Sequence, residues 1–394
     1  MHIKKIDLTN FRNYNRLSLE LKPGITILQG ANAQGKTNFL EAIYLLATTR
    51  SPFARSDREL VNWLVLEPPL PFAKVEALVS RGEEETRLEL TIVGEANSAG
   101  EWRFRKKVRI NGVNKKLADL LGCLRAVLFC PRDIDIIAGA PELRRRFLDI
   151  ALCQIDARYC RALSLYNRIV EQRNHLLKRA REGELREDEL LFWDEGLVEQ
   201  GSIVTVTRWE ALGNIAHWLR RIHKELTGGQ EVLQAVYIPS ALDEPIPPPR
   251  LISPASVEEI KTAFKGRLQA TKQKEFEQGV TLVGPHRDDV RFMLDGHDVA
   301  IYGSRGQQRS AALSLRLAEM EFITAKSGDV PVLLLDEVMS ELDAGRRGQL
   351  MKLISRAHQV VITTLEWEVF RQEFLSKASL FTVTEGVIKP YQRS

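Results

Sequence analysis

The 394-residue chain has little cysteine: Cys123, Cys130, Cys153 and Cys160, with no C-x-x-C pair among them. That argues against a paired-cysteine zinc site, and a chain of this length needs no disulfide staples. The separations 123 to 130 and 153 to 160 suit pairs on one helical face, and small, buried hydrophobic thiols are expected. Nowhere does an apolar run approach the roughly 20 residues that cross a bilayer. The opening Met1-His2-Ile3-Lys4-Lys5 passes into an alternating strand rather than a signal-peptide core. A soluble, cytoplasmic protein with no membrane partner is expected. An excess of one charge is also missing. The 56 basic and 52 acidic residues leave +4, too little for bulk composition to announce a nucleic-acid binder.

What is present is enough apolar content, 44% of residues, to bury a sizeable core divided into two lobes. The most informative stretch runs from Ile25 to Asn38. An apolar strand, Ile25 to Leu28, enters Gly30-Ala31-Asn32-Ala33-Gln34-Gly35-Lys36-Thr37-Asn38, and the apolar helix Phe39 to Leu46 follows. The spacing G-x-x-x-x-G-K-[ST] after a strand and before a helix is that of a phosphate-binding loop. Gly30 and Gly35 let backbone N–H groups turn inward, Lys36 supplies a cation, and Thr37 supplies a hydroxyl for a metal ion.

Near the C-terminus, Val330 to Leu335 is a second buried strand, ending in Asp336-Glu337. Charge confined to the end of such a strand lies where α/β sheets bind ligands. Asp336 would share Mg²⁺ with Thr37, and Glu337 would orient or deprotonate an attacking water, so that the two stretches complete one phosphoryl-transfer site. Between them, Ser304-Arg305-Gly306-Gln307 opens an amphipathic helix and offers a second anion-binding helix start.

The remaining chain reads as follows. Residues 3 to 9 and 17 to 21 alternate as a hairpin; residues 73 to 110 form antiparallel strands with one wet face, the last ending in the turn Asn111-Gly112. That last strand carries Arg103, Arg105, Lys106, Lys107 and Arg109. Its charge is either a solvated edge that discourages aggregation or a DNA-backbone contact. Past Pro131 the pattern turns helical: a segment opening at Pro141 with Arg144, Arg145 and Arg146, then helices over 190–197, 203–226 and 256–278. Arg168, Arg173, Lys178 and Arg179 give one helix a basic side. Pro239 to Pro254 is read as a surface connection. Breaks at Glu182-Gly183 and Gly228-Gly229 exclude a long coiled coil, which needs sustained heptads.

The order phosphate loop, serine-glycine helix start, Asp-Glu strand resembles the ABC-type ATPases. Ser340-Glu341-Leu342-Asp343 looks like their D-loop through Ser340 and Asp343, and Thr363-Thr364 falls where their switch residue sits, with Thr364 the catalytic candidate. A finer resemblance, over nearly the whole chain, is to the RecF family of bacterial recombinational-repair ATPases. It is carried by Asn10-Phe11-Arg12-Asn13-Tyr14, Arg58-Glu59-Leu60, Phe129 to Asp149, Gln172-Arg173-Asn174, Gly284-Pro285-His286-Arg287-Asp288-Asp289 and Gly306-Gln307-Gln308-Arg309. Arg132 and Arg305 depart from the family's usual residues.

The resemblance implies an α/β fold: an ABC-type ATPase head with P-loop and mixed sheets over residues 1–130 and 280–394, and an inserted mainly α-helical lobe over 131–279. It also implies that Arg12 joins the nucleotide site and that two chains close on ATP, with Ser304 to Gln307 acting in trans. The homodimer would bind single-stranded, duplex and junction DNA and work with RecR, RecO and RecA. The competing readings are a transporter-energising ATPase subunit, an SMC-like structural DNA clamp and a scaffold with degenerate ATP binding. The helical lobe and the threonines in place of histidine argue against the first, the broken insert against the second, and the intact Glu337 against the third.

Overall fold

The computed structural model describes residues 1–65, 71–96, 102–181, 188–242 and 254–391. The chain forms two compact units, Met1–Pro131 with Ile323–Ser394, and Arg132–Phe322. The Glu182-Gly183 break and most of the Pro239 to Pro254 connection lie outside the described residues.

In the first unit, β1 (His2–Phe11) and β2 (Tyr14–Glu20) form the expected hairpin, with Phe11 opposite Tyr14. Ile3, Ile6 and Leu8 are fully buried; alternation puts Ile6 and Leu8 on one face, and a register shift between Ile3 and Lys5 interrupts the alternation before them. Strand β3 (Gly24–Gln29) leads through the glycine loop into α1 (Lys36–Thr48). Strands β4 (Phe72–Arg81), β5 (Glu84–Ala96), β6 (Trp102–Ile110) and β7 (Val113–Lys115) extend the hairpin into a sheet of order β2-β1-β4-β5-β6-β7. Asn111 and Gly112 both take positive φ, 51° and 78°, the conformation that a two-residue hairpin turn with right-handed strand twist demands. Strand β8 (Ala126–Phe129) closes this stretch.

The second unit opens with the short helix α2 (Ile134–Ala138), then α3 (Pro141–Cys153), α4 (Ala157–Arg181) and α5 (Asp188–Leu226). Strand β9 (Leu233–Ile238), α6 (Pro254–Gln278), β10 (Asp289–Leu294), β11 (His297–Asp298), α7 (Val299–Tyr302) and α8 (Arg305–Ser327) follow, and α8 belongs to this unit up to Phe322. The return crossing is therefore later than the expected boundary at 279/280. Two contacts explain it: β10 pairs antiparallel with β9 along its length, and the Gly284 to Asp289 loop is bonded into the helices by the contacts Tyr166–His286 and Arg208–Pro285.

The chain then returns to the first unit as β12 (Val332–Asp336), α9 (Ala344–Ile354), β13 (Gln359–Thr364), α10 (Gln372–Leu375), β14 (Ala378–Thr384) and β15 (Val387–Pro390). A second sheet has the order β15-β14-β3-β13-β12-β8, parallel from β14 to β8. Every residue of β12 and β13 is buried, matching the apolar runs Val332 to Leu335 and Val360 to Ile362. Helix α1 packs along β8, β12 and β13.

Two local readings change. Helix α5 runs unbroken from 188 to 226 where two helices were expected. Gly201, in the expected gap between them, is a packing glycine: a Cβ there would fall 2.5 Å from Phe264 and 3.0 Å from Tyr166. The cysteines are half-buried, and neither pair shares a helix: Cys123 and Cys130 flank β8, while Cys153 ends α3 and Cys160 lies on α4.

Arg173, read as part of a basic side, is buried. Its guanidinium donates to Asp194 at 2.7 Å, to Glu275 at 2.6 Å and to Thr281 at 3.0 Å. Glu275 is 0% exposed and also accepts the Leu282 N–H at 2.7 Å. Removing the cation strands a buried carboxylate, so Arg173→Met is expected to cost about 3–5 kcal/mol. Arg173→Met combined with Glu275→Leu should recover most of that loss in urea denaturation, whereas a double-variant loss equal to the sum of the two single losses would show the pair to be uncoupled.

Candidate functional site

The glycine loop begins at the C-terminal end of β3. A Cβ on Gly30 would lie 2.4 Å from the Val383 carbonyl oxygen, and Gly35 holds φ at +112° with Asn13 2.6 Å from where its Cβ would be. Glycine is thus required at both loop ends. Ala31, Asn32 and Ala33 form an exposed rim, with Gln34 half-buried behind it. At the start of α1 no side chain caps the helix and the first turn carries no acid. Its first N–H groups and the positive end of its dipole therefore suit an anion.

Lys36, 3% exposed, donates to the Gly30 carbonyl at 2.7 Å and the Ala31 carbonyl at 2.8 Å, and pairs with Glu337 at 3.0 Å. Thr37 donates to the Asp336 carboxylate, 2.8 and 2.9 Å from its two oxygens. Sequence reasoning placed these four residues in one site, and they do meet. Burial raises the Asp336 pKa above the usual carboxylate range, against hydrogen bonds from Thr363 and Thr37; the Glu337 charge raises it further and Lys36 opposes.

The turn after β1 braces the loop from behind. Tyr14 donates to the Gly35 carbonyl at 2.9 Å, Asn13 donates to the Gln34 carbonyl at 3.0 Å, and Asn38 donates to Asn13 at 2.9 Å. The turn between β14 and β15 grips the other side, where the Glu385 and Gly386 N–H groups donate to the Gln34 side chain and carbonyl at 2.7 and 3.0 Å. Arg12, expected at the nucleotide, has its guanidinium engaged within the protein. It donates twice to Glu41 at 2.7 Å and to the Glu59 carbonyl at 2.9 Å. Sequence reasoning assigned no role to Glu41, which is 0% exposed and also accepts from Ser51. The available signal was an acid in the middle of the apolar run from Phe39 to Leu46.

Of the paired threonines, Thr363 is the one that reaches the acid pair, through the Asp336 carboxylate and the Glu337 backbone. Its hydroxyl donates to Asp336 at 2.8 Å and accepts the Glu337 N–H at 3.0 Å. Thr364, the residue favoured from sequence, donates instead to the Glu366 carbonyl at 2.8 Å. Strand alternation turns successive side chains to opposite faces, which decides between the two. Ser340 donates to the Glu337 carbonyl at 2.7 Å, and Asp343 caps α9 through the Arg346 N–H at 2.9 Å. That bond and the Arg346 charge hold the Asp343 carboxyl below its usual pKa.

In the second unit, Ser304 and Gln307 form a reciprocal cap at the start of α8. The Gln307 side chain accepts the Ser304 N–H at 2.9 Å, and Ser304 Oγ accepts the Gln307 N–H at 3.2 Å. Ser304 and Arg305 are exposed, Gly306 half-buried. Of the arginines read as DNA contacts, Arg144 is corrected: it is buried, bound to both Asp289 oxygens at 2.7 and 3.0 Å and to the Gly139 carbonyl at 2.7 Å. Arg145 donates to the Asp288 carbonyl at 2.7 Å, and Arg146 is half-buried. On β6, Arg103, Arg105 and Lys107 share an exposed face with Arg109, whereas Lys106 lies on the other face and pairs with Asp57 at 2.6 Å.

Thr363→Val removes a donor from a buried carboxylate and leaves the Glu337 N–H without its acceptor, so it should cost about 2 kcal/mol, with Thr364→Val costing about 1 kcal/mol or less. Chemical denaturation compares them, and the reverse order would contradict the assignment.

The model of the RecF/RecN/SMC N-terminal domain family matches residues 2–389. A DNA replication and repair protein RecF from Roseiflexus castenholzii is 41% identical over 401 residues, 99% of this chain and 100% of that protein. A solved structure of the recombination mediator protein RecF with ATP, of the RecFOR pathway, superposes with a TM-score of 0.86 at 32% identity, covering 99% of this chain and 98% of that one. The Smc head domain of Pyrococcus furiosus, bound to part of ScpA, shares the fold at a TM-score of 0.53 and 17% identity, covering 100% of this chain and 96% of that one. The chain belongs to the RecF family, with the ATPase head that this family has in common with SMC proteins.

Proposed function

We propose that the protein is a DNA-repair ATPase of the RecF kind, in which two chains close around ATP and the closed pair holds DNA. The observation that carries the reading is the meeting of Lys36 and Thr37 with Asp336 and Glu337 at one loop mouth. The Lys36 ammonium is engaged by two loop carbonyls and paired with Glu337. An entering triphosphate offers better acceptors, and Lys36 transfers to its β- and γ-oxygens. That exchange releases Glu337 to hold and deprotonate a water in line with the γ-phosphate.

The Thr37 hydroxyl and the Asp336 carboxylate form a compact all-oxygen donor pair, the chemistry that suits Mg²⁺. When bound, the ion neutralises charge developing on the phosphate oxygens. Thr363 fixes the Asp336 carboxylate and the Glu337 backbone together, so both acids keep their orientation through the exchange.

In this reading the loop is half of a site. The exposed Ser304 hydroxyl and the N–H groups at the start of α8 complete it from a second chain, with Ser340 and Asp343 beside the junction. The exposed face of β6, with Arg103, Arg105 and Lys107, supplies a DNA-backbone contact, and RecR, RecO and RecA are the expected partners in loading recombinase onto gapped or junction DNA. DNA stimulation of a slow turnover belongs to the same reading.

A Glu337→Gln variant should elute as a dimer at saturating ATP with Mg²⁺ and as a smaller species without nucleotide; a monomer under both conditions would contradict the sandwich. For DNA, binding in ATP should weaken steeply with salt. Replacing Arg103, Arg105 and Lys107 with alanine should lower the log–log salt slope by about 2–3. An unchanged slope would remove this face from the interface.

A further inference from the structure

The start of α8 is held by a line of side chains that leaves the helix and returns to it. The Gln307 amide oxygen caps Ser304, and its nitrogen donates to Glu231 at 2.9 Å. Glu231 stands between α5 and β9, and its other oxygen lies 3.2 Å from Nε2 of His223 on α5. His223 is 0% exposed, and its Nδ1 meets Ser314 Oγ at 2.9 Å. Ser314 lies seven residues beyond Gln307, about two turns along α8, and donates to the Ser310 carbonyl at 2.7 Å.

Each link restricts the next. A carboxylate only accepts, so Glu231 dictates which end of the Gln307 amide faces it. The amide oxygen is thereby kept for the Ser304 N–H, since a reversed amide would set two donors against each other. His223 anchors Glu231 from inside the unit, where turning the ring would abandon two partners. The half-buried Glu231 charge also lies near the positive end of α8. The helix body is secured separately by fully buried Ala311, Leu315 and Leu317, so the relay acts on the exposed tip rather than on the helix.

We propose that Glu231 and His223 are positioning residues for the nucleotide site of a second chain, holding the Ser304 hydroxyl and the first N–H groups of α8 in the orientation that meets its γ-phosphate. The inference rests on the two-chain reading above. Neither residue touches nucleotide. Their effect passes through Gln307 and Ser304.

The test compares wild type with Glu231→Ala and Glu231→Gln in ATP binding, ATP-driven dimerisation and turnover. Glu231→Ala should bind ATP within about twofold of wild type, yet lose about tenfold in turnover, as expected when a contact is misplaced by about an ångström or less. Glu231→Gln, which keeps an acceptor for Gln307, should retain most of the activity. Mixing Glu231→Ala with Lys36→Met chains is the decisive arm. The Lys36→Met chain lends an intact α8 start to the Glu231→Ala chain's loop, so turnover should exceed that of either variant alone. Wild-type behaviour of Glu231→Ala would overturn the inference. So would a lowered melting temperature with no gain on mixing, which would make the role structural. Failure of wild type itself to dimerise with ATP would remove the two-chain reading instead, and the wild-type arm distinguishes that case.

Discussion

The hydrogen bond between the Thr37 hydroxyl and the Asp336 carboxylate joins residues 299 positions apart, and it depends on the register of a parallel sheet. Leu28 lies level with Thr363, and Thr363 level with Asp336, so β3, β13 and β12 end together. The ends of parallel strands on one edge are where α/β sheets collect ligands. A shift of two residues in either pairing would carry Asp336 about 7 Å along the strand direction and out of reach of the loop.

Around that constraint the head is braced by hydrogen bonds from neighbouring segments. Tyr14 and Asn13 hold the loop from the first hairpin, Glu385 and Gly386 hold it from the last, and the Arg12–Glu41 pair ties α1 to the turn between β1 and β2. A phosphate cradle needs this support because its backbone groups point inward and cannot satisfy one another. The same division of labour recurs at the start of α8, where Ser304 is exposed and its orientation is fixed by Gln307, Glu231 and a buried histidine.

Much of this was legible in the sequence because it is local. A glycine loop between an apolar strand and helix, an acid pair closing a buried strand, and Asn111-Gly112 between alternating runs each carry their own chemistry. What was not legible depends on packing between distant segments. The basic reading of Arg173 and Arg144 failed because Glu275 and Asp289 lie far off in the chain. Helix α5 was expected as two pieces because the residues that pack against Gly201 near its middle, Phe264 and Tyr166, are also remote in the chain. The lobe boundary moved from 279/280 to Phe322 because β10 pairs back onto β9. Thr363 and Thr364 are adjacent and chemically identical, so only the pleat of β13 separates their roles.

The central claim is that the glycine loop and the Asp-Glu strand are one phosphate site. Equilibrium titration of ATP with Mg²⁺ against wild type, Lys36→Met and Asp336→Asn tests it most directly. Each variant should lose about tenfold to a hundredfold in affinity, the value of one or two charge-assisted contacts, while keeping the wild-type melting temperature to within a few degrees. Wild-type affinity in either variant would contradict the account.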